Sequence, residues 1–245
     1  MVILYRLYQL FVAAPLVILS TIITSITIII GCAIGKANVC SYYPTMIWGR
    51  FLCWIMFLPV KVEGRELLDE KQSYVFVANH QGSYDIFLVH GFLGRSFRWM
   101  MKKSLRKTPL IGKTCESTGQ IFVDKSGPKA IRKTYEQARA VLKNGVSLVV
   151  FPEGARTFDG RMTQFRRGAF QLADELGLPV VPVTIDGCFD VLQRPVESPD
   201  RHALPAGVLR LQELPSRHMV SRQPLGQGVA VGVAAVGGGV ALIQE

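Results

Sequence analysis

The chain has 245 residues, a formal net charge of +10 and 49% hydrophobic side chains, a balance that fits one domain with an apolar appendage better than two full domains. The positive excess favours anionic partners such as an acidic bilayer or a phosphorylated substrate, and the lack of any nucleic-acid motif argues against nucleic acid. Five cysteines, Cys32, Cys40, Cys53, Cys115 and Cys188, are odd in number and never spaced as C-x-x-C, which argues for reduced thiols and against a disulfide framework or a zinc site.

Between Arg6 and Lys36 run 29 consecutive residues without a formal charge, more than the roughly 20 a spanning helix needs. The run is longer than a signal-peptide core and ends in no small-residue cleavage site, so it is read as a retained anchor. The hydroxyls of Ser20, Thr21, Thr24, Ser25 and Thr27 are expected to bond to the preceding turn or to a neighbouring helix. Phe51 to Val60 is a second apolar piece, too short to span, beside Trp48 and Trp54, which favour the bilayer interface. Residues 1–59 therefore read as membrane-anchoring helices, either a helical hairpin or one anchor followed by an interfacial helix. Lys36, Arg50 and Lys61 follow the first segment, and the positive-inside bias places the rest of the chain in the cytoplasm.

From Val60 to about Asp190 short apolar runs alternate with helical periodicity, the pattern of an α/β domain over residues 60–190. Strands are expected at Tyr74 to Ala78, Ile121 to Val123, Leu148 to Phe151 and Val180 to Ile185. Helices are expected at Ser83 to Phe92, from Pro128 through Leu142, and at Gly168 to Leu176, where Gly177 closes the last. Arg95, Arg98, Lys102, Lys103, Arg106 and Lys107 interleave with Phe97, Trp99, Met100, Met101 and Leu105, which reads as a basic surface for anionic headgroups or phosphate-bearing substrates. Beyond Asp190 there is no Phe, Tyr, Trp, Lys or Asn, and residues 191–245 are expected to be an atypical, poorly ordered tail.

The chemistry concentrates after two of these strands. In Asn79-His80-Gln81-Gly82-Ser83-Tyr84-Asp85, His80 sits at a strand-to-helix turn, where helix amides favour negative charge. Five steps of about 100° put Asp85 on a different helical face from His80, so the two meet only if the backbone turns between them. If they meet, the carboxylate fixes the tautomer while the other ring nitrogen removes a proton. Alone, the pair reads equally well as a hydrogen-bonded turn. No G-x-S-x-G elbow is present, which makes a substrate hydroxyl the better nucleophile. In Phe151-Pro152-Glu153-Gly154-Ala155-Arg156-Thr157, Gly154 allows close backbone approach, Arg156 offers a planar fork for phosphate oxygens, and Thr157 adds a hydroxyl and an amide. The alternative is an ordinary glycine turn with a solvated arginine. His90, His202 and His218 lack a nearby partner and read as structural or surface residues.

Four segments in order, N-H-Q-G-S-Y-D, G-Q-I-F-V-D-K at Gly119 to Lys125, F-P-E-G-A-R-T, and V-P-V-T at Val181 to Thr184, resemble the blocks of the glycerolipid acyltransferase family, most of all its bacterial 1-acyl-sn-glycerol-3-phosphate (lysophosphatidic acid) branch. The likeness covers Val60 to Gly187. It implies an α/β fold, a mixed sheet flanked by helices of the glycerol-3-phosphate acyltransferase-like type, behind an N-terminal apolar helical membrane anchor. It further implies His80 as general base, Asp85 as its orienting partner, and binding of the acceptor's phosphate through Lys125, Glu153, Gly154, Arg156 and Thr157, with Pro182 shaping the pocket. Lys125 stands where the family usually has arginine, which keeps the charge but loses the bidentate geometry. The implied reaction uses no metal or cofactor: an acyl group passes from acyl-CoA or acyl-carrier protein to lysophosphatidic acid at the cytoplasmic (inner) membrane, among membrane phospholipids. The competing expectations are a sibling enzyme acting on glycerol-3-phosphate or another lysolipid, because the sequence does not spell out the specificity of the pocket, and a non-catalytic membrane-associated binding protein, because the tail does not resemble the family's final strand.

Overall fold

The computed structural model describes residues 2–124, 126–191 and 207–211. The chain opens with α1 (Val2–Tyr8), a π-helical turn at Gln9–Ala13, and α2 (Ala14–Ala33). The π turn precedes Pro15, whose missing N–H removes a rung from the helical ladder. Within Ile3–Ala33 an 18-residue window reaches a mean hydropathy of 2.4, and the stretch is long and apolar enough to cross a membrane. After a short turn, α3 (Ala37–Ile55) runs back along α2. The direction follows from its contacts: Cys40 abuts Gly31 near the turn, and Trp48 Nε1 donates to Thr21 Oγ1 at 3.1 Å farther along. The two helices thus pack antiparallel, as a helical hairpin. Three of the five hydroxyls bond as expected, Ser20 to Val17 O at 3.1 Å, Thr21 to Val17 O at 2.6 Å and Thr27 to Ile23 O at 2.9 Å. The first half of α3 escaped the sequence reading because Asn38, Ser41 and Pro44 interrupt its apolar pattern.

Among the described residues seven strands follow: β1 (Val60–Glu63), β2 (Val75–Ala78), β3 (Phe97–Lys102), β4 (Ile121–Val123), β5 (Ser147–Val150), β6 (Val180–Asp186) and β7 (Gly207–Leu211). They form one sheet in the order β1-β7-β6-β2-β5-β3-β4. Every neighbouring pair is parallel except β6 with β7, so the sheet is mixed and the fold is α/β, as the resemblance implies. Around it lie α4 (Tyr84–Phe92), α5 (Ile111–Ser117), α6 (Pro128–Val141), α7 (Gly168–Leu176) and the short α8 (Cys188–Val191).

Side chains alternate across the central strands with a period of two. Phe76, Ala78 and Val149 face a core shared with α4 and the hairpin, while Val75, Val77, Leu148 and Val150 face one shared with α6 and α7. Coverage of both faces explains why β2 and β5 read as unbroken apolar runs.

Within residues 191–245, expected to be an atypical, poorly ordered tail, residues 207–211 form β7. Residues 207–211 fill the gap between β1 and β6, with Leu209 and Leu211 buried. Residues 192–206 and 212–245, the remainder of the expected tail after α8, lie outside the described residues, as does Lys125.

Candidate active site

Parallel pairing of Val77 with Val150 and of Ala78 with Val183 sets the segments leaving β2 and β5 side by side at the carboxyl ends of their strands, the position where open α/β sheets bind ligands. Asn79 extends the ladder with its side chain: Nδ2 donates to Ile185 O at 2.8 Å, and Ile185 N donates to Oδ1 at 2.7 Å. His80 then leaves the sheet, and α4 begins four residues later at Tyr84.

The intervening turn brings the imidazole and the carboxylate together. His80 Nδ1 lies 2.7 Å from Asp85 Oδ2, which also accepts from Gly82 N at 2.9 Å. Asp85 is fully buried in the first turn of α4, where helix amides stabilise negative charge. A carboxylate accepts, so Nδ1 carries the proton and Nε2 holds the lone pair. Gly82 fits a tight space here: a Cβ would stand 3.0 Å from Cys188 O. The Cys188 thiol is buried beside Asp85, and burial, followed by that negative charge, pushes its pKa up.

The turn after β5 is braced as tightly. Glu153, only 5% exposed, accepts from His80 N at 2.7 Å through Oε1, and from Thr163 N at 2.8 Å and Thr163 Oγ1 at 2.9 Å through Oε2. Thr157 is also buried; its N donates to His80 O at 3.0 Å and its hydroxyl to Asp159 Oδ1 at 3.0 Å. Glu153 and Thr157, expected among the phosphate-binding residues, thus spend their polar atoms on internal partners and tie the β5 turn to His80. Asp159 is held below the usual carboxylate range by the Arg161 amide and the Thr157 hydroxyl.

Arg156 and Gly154 differ. Both border a cavity of about 1420 Å³ that also touches His80 and reaches Thr21 and Ile28 of the hairpin. Arg156 Nη1 donates to Ser83 Oγ. Gly154 adopts φ 74, and the Arg166 guanidinium lies over it, 3.1–3.3 Å from where a Cβ would be. Arg166, Ser83, Asn79 and Thr163 were not singled out from the sequence. Asn79 stood beside the motif histidine, whereas Thr163 carries no local signal at all. Pro182 lies in β6, paired with Val77.

The basic segment resolves into separate parts. Arg95 donates to Asp69 O at 2.8 Å and stacks over Tyr74, and Arg98 is buried, which pulls its pKa down. Lys103 pairs with Asp124 at 2.6 Å and Arg106 with Glu116 at 2.8 Å. Lys102, Lys103, Arg106 and Lys107 are exposed, and Arg95 is half-exposed. Among the described residues no group of three or more His, Cys, Asp or Glu could hold a metal ion.

The pattern of the Acyltransferase family matches residues 59–186. A 1-acyl-sn-glycerol-3-phosphate acyltransferase of Cocos nucifera is 34% identical over 142 residues, 58% of this chain and 46% of the relative. One of Saccharomyces cerevisiae is 34% identical over 155 residues, 62% of this chain and 51% of the relative. The chain therefore spans about half the length of these curated relatives. The crystal structure of the 1-acyl-sn-glycerophosphate (LPA) acyltransferase PlsC from Thermotoga maritima superposes with a TM-score of 0.59 at 27% identity, over 73% of this chain and 70% of that one.

Proposed function

This chain belongs to the acyltransferase family, and on that footing we propose that it transfers a fatty acyl group from acyl-CoA or acyl-carrier protein to the sn-2 hydroxyl of 1-acyl-glycerol-3-phosphate, making phosphatidic acid. The observation that carries the reading is the 2.7 Å contact of His80 Nδ1 with buried Asp85 at the edge of the large cavity. His80 Nε2 takes the proton of the sn-2 hydroxyl as its oxygen attacks the thioester carbonyl carbon. The tetrahedral adduct collapses, the C–S bond breaks, and the leaving thiolate recovers the proton from the imidazolium. Asp85 holds the tautomer and stabilises the transient cation. Arg156 is the guanidinium placed to meet the acceptor's phosphate, with Lys125 carried over from the family pattern.

The cavity favours a lysolipid over glycerol-3-phosphate as acceptor. Ligand pockets of about 300–1,000 Å³ suffice for drug-sized molecules, and this one is larger and lined by Ile28, Ile86, Phe87, Met100 and Ile131. Its extension to the hairpin supports loading from a membrane in which α2 is inserted, with the α/β part on the cytoplasmic side. Membranes containing the chain should convert lysophosphatidate and acyl-CoA or acyl-carrier protein to phosphatidate, and His80→Ala should lower kcat by about 10³-fold. Equal turnover by both proteins would remove the proposed base, and preference for glycerol-3-phosphate would replace the acceptor.

A further inference from the structure

Asp85 fixes one edge of the His80 imidazole, and an aromatic stack fixes its face. The Phe151 ring lies 3.9 Å from the imidazole and within 6° of parallel. Behind Phe151 lies Trp99, at 5.1 Å and 28°. Trp99 is itself held at three points. Its backbone N donates to Gln120 Oε1 at 2.6 Å, its ring meets Phe97 edge-on at 5.4 Å, and its indole Nε1 donates to His90 Nε2 at 2.9 Å.

The last bond defines His90 chemically. An indole N–H can only donate, so His90 Nε2 must present a lone pair and the proton must sit on Nδ1. Burial draws the His90 pKa down to about 4, which keeps that lone pair available at neutral pH. Trp48 and Phe97 pack against the same ring, at 5.9 Å and 5.0 Å. A histidine that the sequence offers only as a structural or surface residue thus anchors the far end of a row of rings leading to His80.

We propose that His90 and Trp99 are positioning residues for the acyl transfer, acting through Phe151 to hold the plane of the His80 imidazole. The proposal rests on His80 being the base. Asp85 restrains Nδ1, but the terminal torsion of histidine is broad, and a tilt of the ring carries Nε2 away from the substrate hydroxyl. A displacement of about 1 Å at a reacting atom can cost on the order of 10²-fold. The Phe151 face also favours a cation over it, so the stack assists the imidazolium formed when the proton arrives.

Three substitutions in the full chain test the idea. His90→Leu keeps bulk without an acceptor, Trp99→Phe keeps a ring without the N–H, and His90→Gln returns an acceptor oxygen. With lysophosphatidate and acyl-CoA, His90→Leu and Trp99→Phe should lower kcat about tenfold with KM for lysophosphatidate within about twofold of wild type, and His90→Gln should recover most of the loss. Histidine-selective NMR of the detergent-solubilised chain, with His80 assigned from the spectrum of His80→Ala, supplies a readout independent of turnover. The ring-current shift that Phe151 imposes on His80 should persist in His90→Gln and fade in His90→Leu and Trp99→Phe. An unchanged His80 resonance in both disruptive variants overturns the proposal, whatever their kcat. A raised KM with full kcat does the same. If His90→Leu does not fold, Trp99→Phe decides. A wild type that leaves lysophosphatidate untouched defeats the proposed function, while the NMR result still decides whether the stack holds the ring.

Discussion

The α2–α3 hairpin and the turns that follow β2 and β5 are stabilised by opposite means. Around His80 a set of buried side chains is tied by internal hydrogen bonds: Asp85 accepts from Gly82, Glu153 from His80 and Thr163, and the Asn79 amide completes a strand ladder. The hairpin satisfies its hydroxyls internally yet leaves Ile18, Leu19, Ile22, Ile23, Ile26 and Ile30 exposed along α2. One region carries its environment within itself, and the other needs an apolar environment outside the chain. The two should therefore respond to different perturbations.

The largest separation is expected from charge on the outer face of α2. Leu19 and Ile23 are 54% and 56% exposed and one helical turn apart. Lysine at a buried helix centre costs roughly 3 kcal/mol, so Leu19→Lys with Ile23→Lys should weaken membrane partition by roughly 6 kcal/mol. Wild type should stay in the membrane pellet through a high-salt wash, since apolar burial resists screening, while the double variant should move to the supernatant with the melting of its α/β part unchanged. Retention of both in the pellet would show that α2 is not the anchor.

Acid should act on the other region. The ordinary histidine value is 6.5, whereas buried His90 takes its proton only near pH 4. Between these values the unfolded chain binds more protons than the folded one, so stability is complete above pH 6.5 and declines as pH falls towards 4. The loss is roughly 3 kcal/mol across the window. Denaturant titrations at pH 7 and pH 4.5 should show that slope in wild type and a flatter one in His90→Gln. Parallel slopes would mean that His90 is solvated.

The division also marks what could be read from the chain alone. The His80 and Arg156 segments were legible because their chemistry is local: a strand, a turn and a helix start within a few residues. The strands around Val75, Leu148 and Val180 were legible because sheets covered on both faces leave continuous apolar runs. β7 was not, since Gly207–Leu211 becomes a strand only through β1 and β6, which are distant in sequence. The same holds for function-bearing packing. That Thr163, ten residues away, occupies the second oxygen of Glu153 could not be read from the F-P-E-G-A-R-T segment, and the contact of His90 with Trp99 leaves no local signal.

The smallest expected effect tests the seam where the two regions touch. At Gly49 of α3 a Cβ would meet Phe87 O at 2.5 Å and Gly91 N at 2.6 Å, and at Gly91 of α4 it would meet Arg50 N at 2.9 Å. These neighbours are backbone, so no flexible side chain can yield, and Gly49→Ala must push the helices apart, at a typical overpacking cost of 1 to 3 kcal/mol. Because α4 carries Asp85 in its first turn, the displacement reaches the Asp85 carboxylate as well as the hairpin. Gly49→Ala should therefore lower the thermal midpoint and reduce kcat together. Gly168→Ala, where an added Cβ meets nothing within 4 Å, should leave the midpoint equal or higher, because alanine removes conformational freedom from the unfolded chain. A Gly49→Ala protein with lowered stability but full kcat would mean that α4 can shift without moving Asp85 from His80, and that the hairpin anchors the site without setting its geometry.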